Sequence, residues 1–107
     1  MEKLTELQKS VIEKKLKIGI NKYIVMLNVM GRKDFEPTEK NHNVYCINEN
    51  FEIIWEIQPD EGPFAEIDPF VYMKINEQGE YVSFSYSGFE YKIDIETGHA
   101  KIIAWHK

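Results

Sequence analysis

The sequence predicts an α+β protein that is mainly β, an antiparallel meander of about six or seven strands with one N-terminal helix. From residue 22 onward, short runs rich in β-branched and aromatic residues alternate with turn residues, a pattern typical of sheet proteins. Apolar residues at helical spacing are confined mainly to the first 17 residues. The chain has 107 residues, the length of one ordinary domain. We therefore predict a single domain over residues 1–107, with its sheet at about 22–106.

The first element, at about residues 3–17, is predicted to be a helix. Leu4, Leu7 and Val11 recur at helical spacing. Thr5 and the glutamine three positions later form the pattern of a capping box, which favours a helix start at this point. A frayed arm is the alternative for this segment.

Residues 23–29, YIVMLNV, form a nearly continuous apolar run of strand length. Such a run is typical of a strand that is covered on both faces. The polar stretch 31–42 that follows is predicted to be a loop. A loop of this length in a small domain is either functional or mobile, so it is a second candidate for a binding segment.

The rest of the chain predicts short strands separated by turns. Glu49-Asn50 is a candidate for a two-residue hairpin turn, and Gly98 suits the left-handed position of the final hairpin loop. Residues 59–69 contain three prolines and a glycine, so they are predicted to be a loop. Strands are expected at residues 44–48, 51–58, 70–76, 80–86 and 99–105.

The clearest local pattern is the hairpin around Ser87-Gly88. A two-residue turn there places the apolar and aromatic residues of both flanking strands on one face, which the helix is expected to cover. The opposite face then carries polar residues and meets water. The predicted apolar pairs are Tyr86 with Phe89, Phe84 with Tyr91 and Val82 with Ile93, and the predicted water-facing residues are Ser83, Ser85, Glu90, Lys92 and Asp94.

Charge is distributed unevenly along the chain, whose formal net charge is −5. Residues 1–40 carry nine basic and six acidic side chains, whereas residues 41–107 carry four basic and twelve acidic ones. An acidic surface repels phosphate, so nucleic-acid binding by the second part is not expected and a basic protein partner is favoured. Solubility is the simpler explanation of the acidity alone.

The expected location follows from three further features of the sequence. No apolar run approaches the roughly 18 residues that a membrane span needs, so no membrane partner is expected. The N-terminal residues are charged throughout and lack the apolar stretch of a signal peptide. Cys46 is the only cysteine and cannot form an internal disulfide. Together these features predict a cytoplasmic protein.

No constellation of residues predicts catalysis, and the protein is not expected to be an enzyme. His42 and Cys46 are four positions apart, but a zinc site needs about four ligands, and His99 and His106 lie far along the chain. We therefore expect no metal and no cofactor. Cys46 lies between apolar neighbours and is predicted to be a core residue rather than a nucleophile. The carboxylates of residues 59–69 lack the walls of a sugar-cleaving cleft.

The segment from residue 56 to residue 68 concentrates acids, with five acidic side chains and no basic one. Prolines stiffen this segment, which lowers the entropy that it would lose on binding. Two apolar residues among the acids could anchor a partner. We predict the partner-binding site from these residues, namely Glu56, Asp60, Glu61, Phe64, Glu66, Ile67 and Asp68.

Two resemblances to known families bear on function. The segments NVYCINENFEIIWEI and YVSFSYSGFEYKIDIETG resemble the strands of a single blade in quinoprotein-type β-propellers, with Trp55 and the DIETG turn at residues 94–98 in matching positions. A propeller needs at least four blades, and this chain has room for about one and a half. In its length, acidity and β-rich pattern, the whole chain resembles small cytosolic immunity proteins that are encoded beside bacterial polymorphic and contact-dependent inhibition toxins.

The second resemblance implies a function. An immunity protein binds its cognate toxin and occludes the active site of that toxin. If the toxin is a nuclease, the acidic side chains would take the place of nucleic-acid phosphates against its basic groups. The alternative is a small β-rich ligand- or carbohydrate-binding module that uses exposed aromatics, and a third reading is an accessory subunit with no ligand of its own.

Overall fold

The computed structural model describes residues 2–106, which form nine strands and two short helices. Strands account for 47% and helices for 9% of the residues, so the predicted α+β, mainly β class is confirmed. The strand count is higher than the predicted six or seven. The elements are α1 (Glu6–Ser10), β1 (Ile12–Gly19), β2 (Lys22–Leu27), α2 (Pro37–Lys40), β3 (Val44–Ile47), β4 (Ile53–Glu56), β5 (Gln58–Pro59), β6 (Phe70–Ile75), β7 (Tyr81–Ser85), β8 (Phe89–Ile93) and β9 (His99–Trp105).

The strands form two sheets. The first sheet has four antiparallel strands in the order β1-β2-β3-β4, and the second has five in the order β5-β9-β8-β7-β6. Strands β6, β7, β8 and β9 pair antiparallel with one another in that order, whereas β5 pairs parallel with β9. No helix among the described residues is long and apolar enough to cross a membrane.

One extended stretch, residues 53–59, contributes to both sheets. Its first part, β4, pairs with β3, and its last part, β5, pairs with β9. Ile57 lies between the two parts, is fully buried, and donates its N–H to the Val44 carbonyl at 2.9 Å. The chain therefore passes from one sheet to the other without a loop.

The main core fills the space between the two sheets. It contains Met26 and Cys46 from the first sheet, Met73 and Tyr91 from the second, and Trp55 from the stretch that passes between the sheets. A second cluster lies on the opposite face of the first sheet and is covered by the N-terminal segment and by the chain after β2; its buried members are Leu4, Val25, Leu27, Val29, Phe35, Tyr45 and Ile47. Because both faces of β2 are covered, its residues 24–27 are all buried, as the apolar run predicted.

Asn43 joins the two sheets at the buried end of β2. Its side-chain amide donates to the Leu27 carbonyl at 2.7 Å and to the Phe70 carbonyl at 2.8 Å, and its side-chain oxygen accepts from the Phe70 N–H at 2.9 Å. The side chain is fully buried. One asparagine thus satisfies three backbone groups that no strand neighbour would satisfy in that place.

The N-terminal helix is much shorter than the predicted 3–17. The capping box is present, because Thr5 and Gln8 exchange side-chain-to-backbone hydrogen bonds of 3.0 and 2.7 Å, but α1 ends at Ser10. Residues 12–19 form β1, in which alternate residues are half-buried and exposed. Leu16 and Ile18, two residues apart, pack against the main core, whereas Ile12, which precedes a register shift between Ile12 and Lys14, packs against the second cluster.

The segment predicted as a loop at 31–42 contains one helical turn. Its helix, α2, starts at a proline, and the Glu39 carboxylate accepts the N–H of Glu36 at 3.0 Å at this start. The turn predicted at Glu49-Asn50 also includes Phe51, which has a φ of 61°. Asn48 and Glu52 close this three-residue loop through a backbone hydrogen bond of 3.1 Å.

The β7–β8 hairpin exists, but its predicted register was wrong by one residue. Phe84 pairs with Glu90 and Ser83 pairs with Tyr91, because the loop has three residues, Tyr86 to Gly88, rather than two. A shift of one residue exchanges the faces of one strand relative to the other. As a result, Ser83 and Ser85 are buried rather than water-facing, and helix α1 does not cover this hairpin.

Candidate functional site: an acidic loop fixed beside a row of aromatic rings

The acidic loop, residues 60–69, connects β5 to β6, and a buried carboxylate fixes its backbone through hydrogen bonds. Asp68 accepts the N–H of Phe64 at 2.9 Å and the N–H of Ser87 at 2.8 Å. The first bond closes the loop on itself, and the second ties it to the β7–β8 turn. Asp68 is buried, so its predicted role as a partner contact is corrected to a structural one.

Two further side chains hold the acidic loop. Asn41 accepts the N–H of Asp68 at 2.6 Å and donates to the carbonyl of Glu66 at 3.0 Å. The hydroxyl of Tyr91 donates to the carbonyl of Glu61 at 2.9 Å. Burial, with a smaller contribution from the Asp68 and Glu61 carboxylates, raises the pKa of Tyr91 to about 12. The hydroxyl therefore remains a donor at physiological pH, and the loop is fixed at both ends.

The acidic loop presents the remaining predicted residues at its surface. Glu61 and Glu66 are exposed, Asp60 is exposed and contacts the His99 ring, and Ile67 is half-buried. Phe64 has 49% of its surface exposed. Of the predicted site residues, Asp60, Glu61, Phe64, Glu66 and Ile67 thus lie on this one loop with at least part of each side chain at its surface, and their role as a partner contact stays a prediction.

Glu56 lies apart from the acidic loop. It is opposite Tyr45 in the β3–β4 pair. Desolvation raises the pKa of the Glu56 carboxyl, and the charged groups that act on it are His42, Glu2 and Glu39 rather than the acids of the loop. We therefore leave Glu56 out of the candidate site.

A row of aromatic rings adjoins the acidic loop. Phe64 stacks on Phe89 with ring centroids 4.1 Å apart, and Phe89 stacks on Trp105 at 5.8 Å. Trp105 is 56% exposed, and Tyr86 in the adjacent hairpin loop is 61% exposed. We call Phe64, Phe89 and Trp105 the aromatic row. Sequence reasoning did not include Trp105, although its pairing with Phe89 follows from placing β9 beside β8.

The aromatic face predicted for the β7–β8 hairpin does not exist as one surface. Tyr91 is buried in the core, and Phe84 lies on the other face of the second sheet, where it contacts Tyr72 and His106. The one-residue register shift places Phe84 on one face and Tyr91 with Phe89 on the other, and Tyr86 lies in the hairpin loop. Only Phe89 joins the aromatic row.

The second candidate segment, 31–42, has its acids engaged locally. Arg32 donates two hydrogen bonds to the Asp34 carboxylate, at 2.9 and 2.7 Å, and this contact lowers the pKa of Asp34. The Glu39 carboxylate accepts the N–H of Glu36 at the start of α2. These acids are thus less available to a partner than those of the acidic loop.

The histidines occupy three separate places. His42 contacts the carbonyl of Thr38, His99 contacts Asp60, and His106 contacts Glu90. Across residues 2–106, no group of three or more His, Cys, Asp or Glu side chains could hold a metal ion. Cys46 is fully buried in the main core, and burial raises the pKa of its thiol.

We expect the Cys46 thiol to be unreactive in the folded protein. A raised thiol pKa lowers the thiolate fraction at pH 8, and burial excludes the reagent, so labelling should be slower by at least about a hundredfold than in the unfolded chain. Absorbance of released thionitrobenzoate, with and without 6 M guanidinium, measures both rates. Rapid labelling of the folded protein would contradict the assignment of Cys46 to the core.

Together, the fold and the site define a small two-sheet β protein with a fixed, outward-facing acidic loop and an adjoining aromatic row. The chain belongs to the family described as a domain of unknown function, DUF7957, whose model matches residues 5–104. The matched range includes both sheets up to the last residue of β9, and of the candidate site it includes the acidic loop, Phe64 and Phe89 but not Trp105. Comparison with curated proteins and comparison with solved structures return no match.

Proposed function

We propose that this protein binds a basic protein partner through the acidic loop and the aromatic row. We further propose that it acts in the cytoplasm as an immunity protein, which neutralises a cognate bacterial nuclease toxin by occluding the active site. The observation that carries the proposal is that different residues of the acidic loop fix its backbone and form its surface. Its buried groups fix the backbone, whereas its exposed groups are acids beside a half-exposed ring.

A loop that is ordered before binding favours affinity. Immobilising a flexible side chain at an interface costs about 0.5–1.5 kcal/mol, and ordering a loop adds to that cost. Asp68, Asn41 and Tyr91 order the acidic loop in the free protein. Most of the conformational entropy of the loop backbone is therefore already lost in the free protein, and little more is lost on binding.

The aromatic row supplies apolar contact area next to these charges. Interface hot spots are enriched in aromatic residues, and surrounding polar groups exclude water from them. Phe64 and Trp105 expose about half of their surfaces, and Glu61 and Glu66 lie on the loop that carries Phe64. This arrangement fits a protein surface with an apolar depression among cationic side chains.

The active site of a nuclease is such a surface. Lysine, arginine and histidine side chains bind the phosphates of its substrate, and carboxylates can form charge-assisted hydrogen bonds with the same groups. Complementary charge also speeds association and fixes the orientation of the partner. An inhibitor of this kind needs no catalytic group of its own.

The test is charge reversal on the loop, with Glu61→Lys and Glu66→Lys combined. We expect association with the cognate nuclease domain, which this proposal places in a toxin gene beside the gene for this protein, to slow by on the order of tenfold or more at low salt, because attraction becomes repulsion. The effect should shrink as salt rises, because ions screen exposed charges. Surface-plasmon-resonance kinetics at two salt concentrations measure the association rate.

The matched control combines Glu49→Lys with Glu77→Lys. Both residues are exposed and lie in turns outside the acidic loop, so this variant has the same net charge as the test variant. The control should associate nearly as fast as the unaltered protein. If both double variants slow association equally, net charge rather than the loop is responsible, and the proposed site is wrong.

A second candidate function is carbohydrate binding, which the exposure of Trp105 favours. Sugar rings stack on exposed aromatic faces, but Phe64 and Phe89 already turn faces toward each other. Titration of tryptophan fluorescence with oligosaccharides distinguishes the two functions. Saturable quenching that Trp105→Ala abolishes, without any binding to the nuclease domain, would favour the carbohydrate-binding module.

A further inference from the structure

The aromatic rings of this protein differ in whether a cation of the same chain lies over them. Five rings have a lysine or arginine at 4.3–5.9 Å from the ring centroid, namely Tyr23, Phe35, Phe51, Tyr72 and Phe84. Within residues 2–106 no such cation lies over Phe64, although 49% of its surface is exposed. The face of an aromatic ring carries partial negative charge and attracts cations. Phe64 can therefore receive a cation from another molecule.

Two carboxylates lie beside the Phe64 ring. A Cβ atom built on Gly62 would lie 3.2 Å from the ring, so the chain at Gly62 contacts the ring, and the exposed Glu61 directly precedes that contact. Glu66, also exposed, follows Phe64 by two residues. In the described part of the chain, no ion pair involves either glutamate. A cation on the ring would thus be within reach of carboxylates that no other cation neutralises.

The Phe64 ring is also held in position. Phe89 stacks on it with centroids 4.1 Å apart, and the Phe64 N–H donates to the buried Asp68 carboxylate at 2.9 Å. The other oxygen of Asp68 accepts the Ser87 N–H at 2.8 Å, which connects this part of the acidic loop to the β7–β8 turn. The ring is therefore ordered in the free protein, so a stacked contact costs little further entropy.

We infer that the basic partner places an arginine on Phe64, with its guanidinium stacked on the ring and bonded to the carboxylate of Glu61 or Glu66. The inference rests on the proposed binding of a basic protein and names the group that this partner inserts. A guanidinium is planar, weakly hydrated and able to bond a carboxylate through two parallel N–H groups. An ammonium is compact and strongly hydrated, so it is harder to remove from water. The site therefore prefers arginine to lysine at equal charge.

An arginine of this kind suits the proposed inhibition of a nuclease. Arginine binds phosphate with the same two parallel N–H groups that it uses for a carboxylate. An arginine held between Phe64 and a glutamate is therefore withdrawn from the nucleic-acid substrate. The contact would compete directly with the phosphate of that substrate.

Peptide binding tests the preference with probes of known composition. We expect labelled hexa-arginine to bind at least about fivefold more tightly than labelled hexa-lysine, which carries the same charge, because a guanidinium gains more from the ring. Phe64→Leu keeps an apolar side chain but removes the ring, so the ratio of the two dissociation constants should fall below about twofold. Phe64→Tyr keeps the ring and should preserve the ratio. Fluorescence anisotropy at low salt measures the constants, and thermal unfolding confirms that each variant is folded.

The matched control is Tyr72→Leu. Tyr72 is 48% exposed, against 49% for Phe64, but it lies on the other face of the second sheet and already attracts the Lys14 ammonium at 5.2 Å. This control should leave the ratio of dissociation constants unchanged. Equal binding of the two peptides by the unaltered protein, or the same fall in both leucine variants, would overturn the inference.

These outcomes are separable from the proposed function. If the arginine preference depends on Phe64 but the cognate nuclease domain does not bind, the immunity function is wrong and the arginine site stands. If the nuclease domain binds but Phe64→Leu weakens both peptides equally, the function stands and the arginine site is wrong.

Discussion

Replacing Asn43 with leucine should lower the free energy of unfolding by about 3–5 kcal/mol, since each buried backbone group left without a partner costs about 1–3 kcal/mol. The substitution removes all three side-chain hydrogen bonds that join the end of β2 to the start of β6. It leaves the Leu27 carbonyl and both backbone groups of Phe70 without hydrogen-bond partners. Leucine is similar in size, so the loss reflects hydrogen bonding more than volume. Urea denaturation followed by tryptophan fluorescence measures the effect.

The control for this prediction is Asn50→Leu. Asn50 is exposed in the β3–β4 turn, and exposed substitutions usually change stability by less than about 0.5 kcal/mol. If Asn43→Leu were no more destabilising than this control, water would have to satisfy the three groups. The role of Asn43 in joining the sheets would then be wrong.

Replacing Gly98 with alanine should destabilise the fold by about 3 kcal/mol or more, since the left-handed conformation alone costs a non-glycine residue about 1–2 kcal/mol. Gly98 has a φ of 83°, and a Cβ atom there would lie 2.5 Å from the Trp55 ring and 3.1 Å from the Glu56 carbonyl. The ring cannot move aside freely, because its Nε1–H donates to the Ile95 carbonyl at 2.9 Å. The shift in the thermal midpoint reports the loss.

Gly79→Ala separates the two causes. Gly79 has nearly the same φ, 78°, but a Cβ atom there would meet nothing within 4 Å. This control should therefore show the conformational cost alone. Equal losses in the two variants would mean that Trp55 does not pack against Gly98 as described.

The sequence predicted the sheet but misjudged its first strand, for a physical reason. Leu4, Leu7 and Val11 recur at helical spacing, whereas Leu16 and Ile18 are two residues apart, a spacing that fits one face of a strand. The capping box at Thr5 correctly marked a helix start, yet nothing local marked its end at Ser10. Packing of alternate β1 side chains against the core decides between the two patterns, and that packing is not visible in a single segment.

The hairpin and the site were predicted in part for similar reasons. Ser87-Gly88 marked the turn, but a two-residue and a three-residue loop both suit a glycine with positive φ, and the difference reverses one face. Composition located the acidic loop. It could not show that Asp68 bonds to backbone N–H groups while Glu61 and Glu66 face outward, because exposure depends on residues that are distant in sequence.

The stretch that passes directly from the first sheet into the second has a consequence for how the molecule comes apart. Ile57 directly connects β4 to β5. Separating β4 from β3 therefore also displaces β5 and, through its pairing, β9. Neither sheet can fray alone beyond that point, and partial opening is suppressed in favour of all-or-none unfolding. Since the acidic loop begins where β5 ends, we expect the loop to keep its position until the entire fold unfolds.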